Sequence, residues 1–301
     1  MEQRLLLVHA HPDDESIQNG ATMAMYAARG AKVTLVTCTL GEEGEVLVPE
    51  LAHLASHEQD RLGEHRVTEL ANAMKELGVT DHRLLGGQGR YRDSGMVWHE
   101  EGHAMAGEDV KEGTFWRADL LEAADHLVEI IREVRPQVMV AYDEFGGYGH
   151  PDHIQAHRVA MYGAALAAVP SYREDLGPAW DIAKIYWSAM SESRMREGLR
   201  RLRAAGDSTT FEGMDPDGDM GRWVTPDRLL SAVIEAGDFV EAKMAAMRAH
   251  ATQITMDGPF FALSNNLGHQ VWGTEFYRLA KGRQGPTNEQ GLETDLFAGL
   301  E

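Results

Sequence analysis

The sequence predicts an α/β protein with a Rossmann-like, mostly parallel sheet and helices on both faces. Short apolar runs such as Leu5–His9 and Gln137–Tyr142 have the length and continuity of strands that are buried on both faces. Segments with helical spacing, such as Leu120–Val134, lie between these runs. Because strands alternate with helices along the chain, a parallel sheet with crossover helices is the expected arrangement.

The predicted elements follow one another in order over the first 190 residues. Strands are predicted at Leu5–His9, Lys32–Thr39, His82–Leu85, Gln137–Tyr142 and Ile185–Ser188. Helices are predicted at Glu15–Arg29, His57–Leu77, Leu120–Val134 and Pro151–Val169. Glycine supplies two of the helix stops, and Pro151 suits the first turn of the last helix. The irregular stretch Gly86–Gly113 is longer than most loops in a compact domain, so we expect it to be functional.

The pattern loosens after about residue 190. A loop rich in Gly and Asp, Asp207–Gly221, precedes a predicted strand at Leu229–Ala236 and a predicted helix at Phe239–Ala251. The tail Gly285–Glu301 is polar, and we expect it to be mobile. The sequence therefore predicts a Rossmann-like domain over residues 1–188 and a smaller C-terminal region over residues 189–301.

Charge and cysteine content narrow the function classes. The chain of 301 residues carries a formal net charge of −20, so nucleic acid and anionic membranes would be repelled. The single cysteine, Cys38, excludes an internal disulfide and fits a reducing compartment. The apolar run Leu5–Val8 is too short for a signal peptide or a membrane span. We expect a cytoplasmic protein with no nucleic-acid or membrane partner.

Two loops that leave predicted strands carry most of the chemically useful side chains. Ala10-His-Pro-Asp-Asp-Glu15 follows the first strand, and Gly146-Gly-Tyr-Gly-His-Pro-Asp-His153 follows the strand at Gln137–Tyr142. Ligands of open parallel sheets bind outside the carboxyl ends of the strands. We therefore expect the two loops to meet, although they lie far apart in the sequence.

The residues of these loops suit a catalytic metal. His11 and Asp14 are three residues apart across a turn, and His153 near the next helix start supplies a third ligand. Two histidines and a carboxylate with an open position form a catalytic zinc site and also suit ferrous iron. We predict that each chain binds one divalent metal, Zn²⁺ or Fe²⁺. The Rossmann-like domain is therefore predicted to be the catalytic domain. His157, four residues after His153, is an alternative ligand to Asp14.

The neighbouring polar residues have separate predicted roles in amide hydrolysis. Asp13, beside a ligand, is the predicted general base. Tyr148 and His150 are candidates for stabilising the oxyanion, and a protonated His150 can also serve the departing amine. Asp152 is predicted to orient an imidazole. Taken singly, His11, Asp14 and His153 also fit a turn or a helix cap, but two such clusters on converging loops favour catalysis.

Both motifs resemble the signature of the LmbE/PIG-L family of metal-dependent sugar N-deacetylases. The resemblance runs from end to end and is greatest to the deacetylases of mycothiol biosynthesis. Further similar segments are Ser16–Ala21, Thr37–Val46, Arg90–Met96, Ala251–Gln253, Leu263–Leu267 and Glu293–Leu296. It implies the metal, base and oxyanion roles given above, and it adds contacts to the sugar and inositol hydroxyls from Arg66, Glu45 and Asp93.

The activity that the resemblance implies is hydrolysis of the acetamide of N-acetylglucosaminyl-inositol to glucosaminyl-inositol and acetate. One alternative is the sister amidase activity on mycothiol S-conjugates, which carry a bulkier acyl group. Another is a non-catalytic sugar-binding protein of the same fold. Such a protein would be expected to lose its base or a ligand first, whereas Asp13 and the three predicted ligands are all present.

Overall fold

The computed structural model describes residues 2–258, 261 and 272–300. Its centre is a seven-stranded sheet in the order β3-β2-β1-β6-β7-β9-β8, and a separate two-stranded hairpin pairs β4 with β5. The strands are β1 Arg4–His9, β2 Lys32–Thr37, β3 Asp81–Leu84, β4 Val97–Trp98, β5 Ala104–Met105, β6 Val138–Ala141, β7 Lys184–Ala189, β8 Ala232–Glu235 and β9 Thr274–Lys281. The helices are α1 Asp14–Ala28, α2 Leu62–Glu76, α3 Leu120–Val134, α4 Pro151–Ala167, α5 Glu192–Ala204 and α6 Val240–Ala249.

The predicted fold class is confirmed. The first five strands of the sheet, from β3 to β7, run parallel, and β9 is antiparallel to both of its neighbours, β7 and β8. One apolar core lies under α1, α2 and α6, and a second core lies on the other face under α3 and α4. The chain moves outward from β1 to β3 and then returns to β6 on the other side of β1. This reversal creates a crevice at the carboxyl ends of β1 and β6, where ligands of such sheets bind.

A helix start and a long loop differ from the expectations for physical reasons. The helix predicted from His57 begins at Leu62, because Asp60 adopts a left-handed conformation (φ 53°) that ends the preceding turn. The stretch Gly86–Gly113 contains the hairpin β4–β5, which is too short to show a clear strand period. Among the described residues, no helix has the length and apolarity needed to cross a membrane.

The C-terminal region differs most from the expectations. Helix α5 and strand β9 were not predicted, and β9 joins β8 to the main sheet. The expectation of a mobile tail at Gly285–Glu301 was wrong, because Leu296 and Phe297 are buried and Glu293 pairs with Lys184. The boundary between the two regions at residue 188 stays a prediction, and the similar segment Leu263–Leu267 lies outside the described residues.

Candidate active site and metal centre

The two predicted loops meet at the crevice beside β1 and β6. His11 lies two residues after β1, and Asp14 is the first residue of α1. His153 is the third residue of α4, which Pro151 opens in its first turn. All three side chains are at least nine-tenths buried. The fold therefore positions them on element ends whose backbone is fixed by the sheet and the helices.

The predicted ligands have the spacing that a metal needs. Oδ2 of Asp14 lies 3.4 Å from Nδ1 of His11 and 3.4 Å from Nε2 of His153. Ligand atoms about 2.1 Å from a tetrahedral zinc are about 3.4 Å from one another. In the described part of the chain, the buried Nε2 of His153 has no hydrogen-bond partner. A buried nitrogen left without a partner is costly, and a metal at this point would satisfy it.

The outer nitrogens of both histidines are held in place. Nε2 of His11 lies 3.2 Å from Oδ2 of Asp152, a contact that can orient the imidazole. Nδ1 of His153 lies 3.1 Å from the carbonyl oxygen of Gly146. Asp152 is itself fixed by the backbone N–H of Ser94, which donates to its Oδ2 at 2.9 Å. Each imidazole is therefore oriented with its other nitrogen toward Asp14.

The electrostatics of the site favour a cation. Burial alone would lower the pKa of His11, but Asp93, Asp14 and Asp152 raise it well above its usual range. Burial alone would raise the pKa of Asp14, but His153 and His11 hold it well below its usual range. The Asp14 carboxylate therefore stays charged in a buried place and needs a positive charge beside it, which a divalent metal would provide.

Asp13, the predicted base, lies beside the ligands with a strained backbone. Its φ is 114°, a conformation rare for residues other than glycine, and it precedes the first turn of α1. Nη2 of Arg66 donates to its Oδ2 at 2.9 Å. Burial raises the pKa of Asp13 to about 6, although Arg66 opposes that shift. A carboxylate with a pKa near neutrality is suited to accept a proton.

The two oxyanion candidates lie on the second loop. Nδ1 of His150 accepts from the backbone N–H of Asp152 at 3.1 Å, which caps helix α4. Burial, with His11 and His153 nearby, lowers the pKa of His150 well below its usual range. A neutral imidazole that accepts at Nδ1 carries its hydrogen on Nε2 and is a donor there. The Tyr148 ring lies edge-on to His153, with centroids 5.1 Å apart, and burial raises the pKa of its phenol.

His150 also lies within reach of the metal. Ligand nitrogens of His11, His150 and His153 are within 4.8 Å of one another, and so are ligand atoms of His11, Asp93 and Asp152. Asp14 remains the better third ligand, because it lies at tetrahedral spacing from both flanking histidines. The alternative ligand His157 has its Nδ1 3.0 Å from the carbonyl oxygen of Tyr142.

The three residues assigned to substrate contacts lie in different surroundings. Asp93 is buried, with Oδ1 3.5 Å from Nε2 of His11. Arg66 is buried and donates to the carbonyl oxygens of Pro12 and Gly41 as well as to Asp13, so it braces the first loop. Glu45 is exposed. The structure thus brings Asp93 next to His11 and Arg66 next to Asp13, whereas Glu45 is exposed to solvent.

Sequence reasoning missed the polar residues behind the ligands. The Tyr142 hydroxyl donates to Oδ2 of Asp14 at 2.7 Å, and the Tyr142 ring stacks on His153 with centroids 4.3 Å apart. Behind it lies His9, whose Nδ1 is 3.2 Å from the Tyr142 hydroxyl. The sequence did offer a signal for both residues, because they lie where the two strands that precede the motifs end. His9 is the last residue of β1, and Tyr142 is the first residue after β6.

A second missed pair lies behind Asp13. His250, from the C-terminal region, has its Nε2 2.8 Å from Oε1 of Glu15, and both side chains are fully buried. Oε2 of Glu15 accepts from the backbone N–H of Asp13 at 2.9 Å. No local sequence pattern links two residues so far apart, so only the fold reveals this support for the strained backbone of Asp13.

An aromatic wall, formed by Trp98, Tyr148 and Trp223, flanks the site. The Tyr148 and Trp223 rings are stacked, with centroids 5.3 Å apart and planes 9° apart. Trp98 stacks on Trp223 at 6.0 Å. Trp223 also donates from Nε1 to the carbonyl oxygen of Gly102 at 3.0 Å, and the Ala104 N–H donates to the Tyr148 carbonyl oxygen at 2.9 Å. The hairpin β4–β5 is therefore attached to the loop that carries Tyr148.

The comparison with protein families agrees with this geometry. The PIG-L family, described as GlcNAc-PI de-N-acetylase, matches residues 6–164, which include both loops and every predicted metal ligand. The chain belongs to this family. A 1D-myo-inositol 2-acetamido-2-deoxy-α-D-glucopyranoside deacetylase of a Nocardioides species is 74% identical over 299 residues, which cover 99% of each chain.

Solved structures share the fold at much lower identity. The N,N′-diacetylchitobiose deacetylase of Pyrococcus horikoshii is 20% identical, with a TM-score of 0.60 over 93% of this chain and 84% of that one. GalB of Pseudomonas putida, a 4-carboxy-2-hydroxymuconate hydratase, is 15% identical, with a TM-score of 0.61 over 96% and 100%. Because this fold is shared with a hydratase, the chemistry has to be argued from the site.

Proposed function

We propose that this PIG-L family member hydrolyses the acetamide of N-acetylglucosaminyl-inositol to glucosaminyl-inositol and acetate, a step of mycothiol biosynthesis. The observation that carries the chemistry is that Oδ2 of Asp14 lies 3.4 Å, the spacing of tetrahedral ligands, from both Nδ1 of His11 and Nε2 of His153. In the described part of the chain, this buried Nε2 has no hydrogen-bond partner. The substrate rests on the high identity with the Nocardioides deacetylase over the full length. The single cysteine fits a reducing compartment such as the cytoplasm, which we propose as the location.

One divalent metal, Zn²⁺ or Fe²⁺, fits this donor set of two imidazoles and one carboxylate. When bound, it supplies Lewis acidity toward water and the substrate carbonyl. His11 and His153 are held for this role by Asp152 and the Gly146 carbonyl, so little reorganisation is needed on binding. Reconstitution of the metal-free chain with each ion under anaerobic conditions would distinguish the two, by turnover per bound metal.

Asp13 removes the proton from the attacking water in this proposal. Its carboxylate is beside the ligands, and its raised pKa suits proton acceptance at neutral pH. Arg66 donates to the same carboxylate and holds it in one orientation. The strained backbone of Asp13 is fixed by Glu15, so the base is placed before substrate arrives.

His150 and Tyr148 stabilise the oxyanion that forms on the carbonyl. His150 donates from Nε2 because its Nδ1 accepts from the helix backbone. Tyr148 donates its phenol hydrogen to the same oxygen. The proton that Asp13 has taken up is then available to the departing amine, so that acetate and a free amine are released. Asp93, Arg66 and Glu45 remain the proposed contacts to the sugar and inositol hydroxyls.

The deciding experiment measures free amine released from N-acetylglucosaminyl-inositol and, in parallel, from a mycothiol S-conjugate, each with and without a chelator. Faster chelator-sensitive release from the acetylated sugar is expected. Faster release from the conjugate would keep the metal mechanism but assign the chain to amidase chemistry. Binding of the sugar without release from either substrate would favour a non-catalytic sugar-binding protein.

A further inference from the structure

A second group of metal-binding side chains lies at the tip of the hairpin β4–β5, outside the site described above. It consists of His99, Glu101 and His103, whose ligand atoms are all within 4.8 Å of one another. We propose that this tip site binds a second divalent transition-metal ion, such as Zn²⁺, independently of the catalytic metal. The inference goes beyond the proposed function and does not depend on it.

The hairpin backbone places the two imidazoles together. Trp98 pairs with Ala104 in the β4–β5 register, so the next residues outward, His99 and His103, lie opposite each other. The His99 N–H donates to the His103 carbonyl oxygen at 2.8 Å, which continues the pairing by one step. Residues directly opposite on antiparallel strands have Cβ atoms about 5 Å apart on the same face. The two histidines therefore share one face as a consequence of register.

The three side chains lie close together, although the two stacked rings have to turn before their nitrogens can point at one ion. The His99 and His103 rings lie parallel, with centroids 4.6 Å apart and planes 22° apart. The turn is closed by the Gly102 N–H, which donates to the His99 carbonyl oxygen at 2.9 Å. The Glu101 N–H donates to Nδ1 of His99 at 3.1 Å, so the acidic residue lies beside that imidazole. Side-chain rotation alone would bring the three donors to tetrahedral spacing, about 3.4 Å apart.

The donor chemistry selects the class of ion. Two imidazoles and a carboxylate bind Zn²⁺, Ni²⁺, Co²⁺ or Cu²⁺ in preference to Mg²⁺ or Ca²⁺, which require more oxygen ligands. The net charge of −20 also favours cations near the surface. A hairpin that is already closed loses little further entropy when a metal bridges its strands, which favours binding by three ligands.

The hairpin β4–β5 links the tip site to the aromatic wall. Gly102, within the turn, accepts the indole hydrogen bond of Trp223, and Ala104 donates to the backbone of Tyr148. A metal that bridges His99 and His103 would stiffen the segment between these two contacts. The ion would therefore restrain the aromatic wall without contacting the proposed catalytic ligands.

The test counts Zn²⁺ bound to the full chain by equilibrium dialysis and calorimetry after chelator treatment. The wild-type chain is expected to bind two ions, and His99→Gln/His103→Gln is expected to bind one. His153→Gln should lose the catalytic ion and keep the ion at the tip. The matched control is His57→Gln/His82→Gln, which removes two exposed histidines elsewhere and should keep both ions.

Several results would overturn the proposal. In the first, the wild-type chain binds a single ion, and the His99→Gln/His103→Gln variant still binds it. Another is a second ion that survives in that variant, and a third is a second ion bound only at millimolar Zn²⁺, which would be adventitious. Retention of the catalytic ion by the double variant shows that it has folded. If the catalytic site failed to bind metal, the wild-type chain would still bind one ion, lost only in the double variant, so the two failures are distinguishable.

Discussion

The chain before β7 and the chain after it contribute to the site in different ways. The earlier part supplies the proposed ligands, base and oxyanion donors from two strand-end loops. The later part supplies supporting residues: His250 behind Asp13 and Trp223 against Tyr148. Trp223 is 38% exposed and its partner Trp98 is 54% exposed, whereas the ligands are buried. The comparison teaches that the sheet positions the proposed reacting groups. The aromatic wall of the site depends instead on loops that meet only in the folded chain.

The largest effect is expected from a change in the earlier part, Asp13→Asn. Asparagine tolerates positive φ, so the backbone at this position should persist, but the amide cannot accept the proton. Turnover should fall about 10²–10⁴-fold, the usual contribution of a general base. The bound metal, measured by elemental analysis, should stay at one equivalent at the catalytic site. Turnover close to wild type would assign the base elsewhere.

The second largest effect concerns the attachment of the later part to the sheet. Lys184 on β7 is buried and forms an ion pair with Glu293, whose other oxygen accepts from Tyr186. Lys184→Met leaves the Glu293 carboxylate buried without its cation, so we expect a loss of about 3–5 kcal/mol in the free energy of unfolding. Denaturant titration measures this loss. Turnover per folded molecule should change little, since the pair is remote from the metal.

A matched control for that change is Lys281→Met. Lys281 pairs with Asp181, but the two side chains are 37% and 68% exposed. Exposed ion pairs contribute about 0–1 kcal/mol, so the control should be nearly neutral. Equal losses in the two variants would mean that burial of the Lys184 pair does not anchor the C-terminal region.

The Lys184–Glu293 pair also explains where prediction from sequence stopped. Helix α3 was predicted at its observed bounds, because its apolar period and its stop at Arg135-Pro136 are local signals. Glu293 looks like a residue of a polar tail, and only its partner on β7 explains its burial. Strand β9 was missed for the same reason: Glu275 within it is buried against Lys243 of α6. Neither partner can be found from local sequence.

The residues of the candidate site show the same difference between local and long-range signals. His11, Asp14 and His153 follow from one rule, because carboxyl ends of parallel strands meet at one edge. Tyr142 and His9 end the same strands but lie behind the ligands, so the rule does not assign them a contact. Helix α5 was missed because its exposed face is rich in arginine and only Gly198, Leu199 and Leu202 are buried. Local patterns therefore predicted which proposed reacting groups lie together, but not the groups that lie behind them.

A third prediction tests the support behind the ligands. Tyr142→Phe keeps the ring that stacks on His153 but removes the hydroxyl that donates to Asp14 at 2.7 Å. Loss of such an outer hydrogen bond lowers metal affinity about 10–100-fold. Competition with a chelator of known affinity measures the change. Tyr26→Phe removes the hydroxyl of another buried tyrosine, which donates to Asp295 away from the site, and should leave metal affinity unchanged. Equal affinities in the wild-type chain and Tyr142→Phe would remove Tyr142 from the metal centre.

The smallest effect is expected at the outer wall. Trp223→Ala removes the ring stacked on Tyr148 and the hydrogen bond to Gly102. Aromatic stacking contributes about 0.5–1.5 kcal/mol, so the kcat for amine release should fall by no more than about tenfold, with metal affinity unchanged. Trp223→Phe keeps a stacking ring and should recover most of the loss. Trp180→Ala, a change at a tryptophan that packs against Arg135 and bonds to Pro136, serves as the control and should affect stability alone. If Trp223→Ala lowered metal affinity as much as Tyr142→Phe does, the distinction between a fixed metal centre and a separate wall would be lost, because a change at the wall would then reach the ligands themselves.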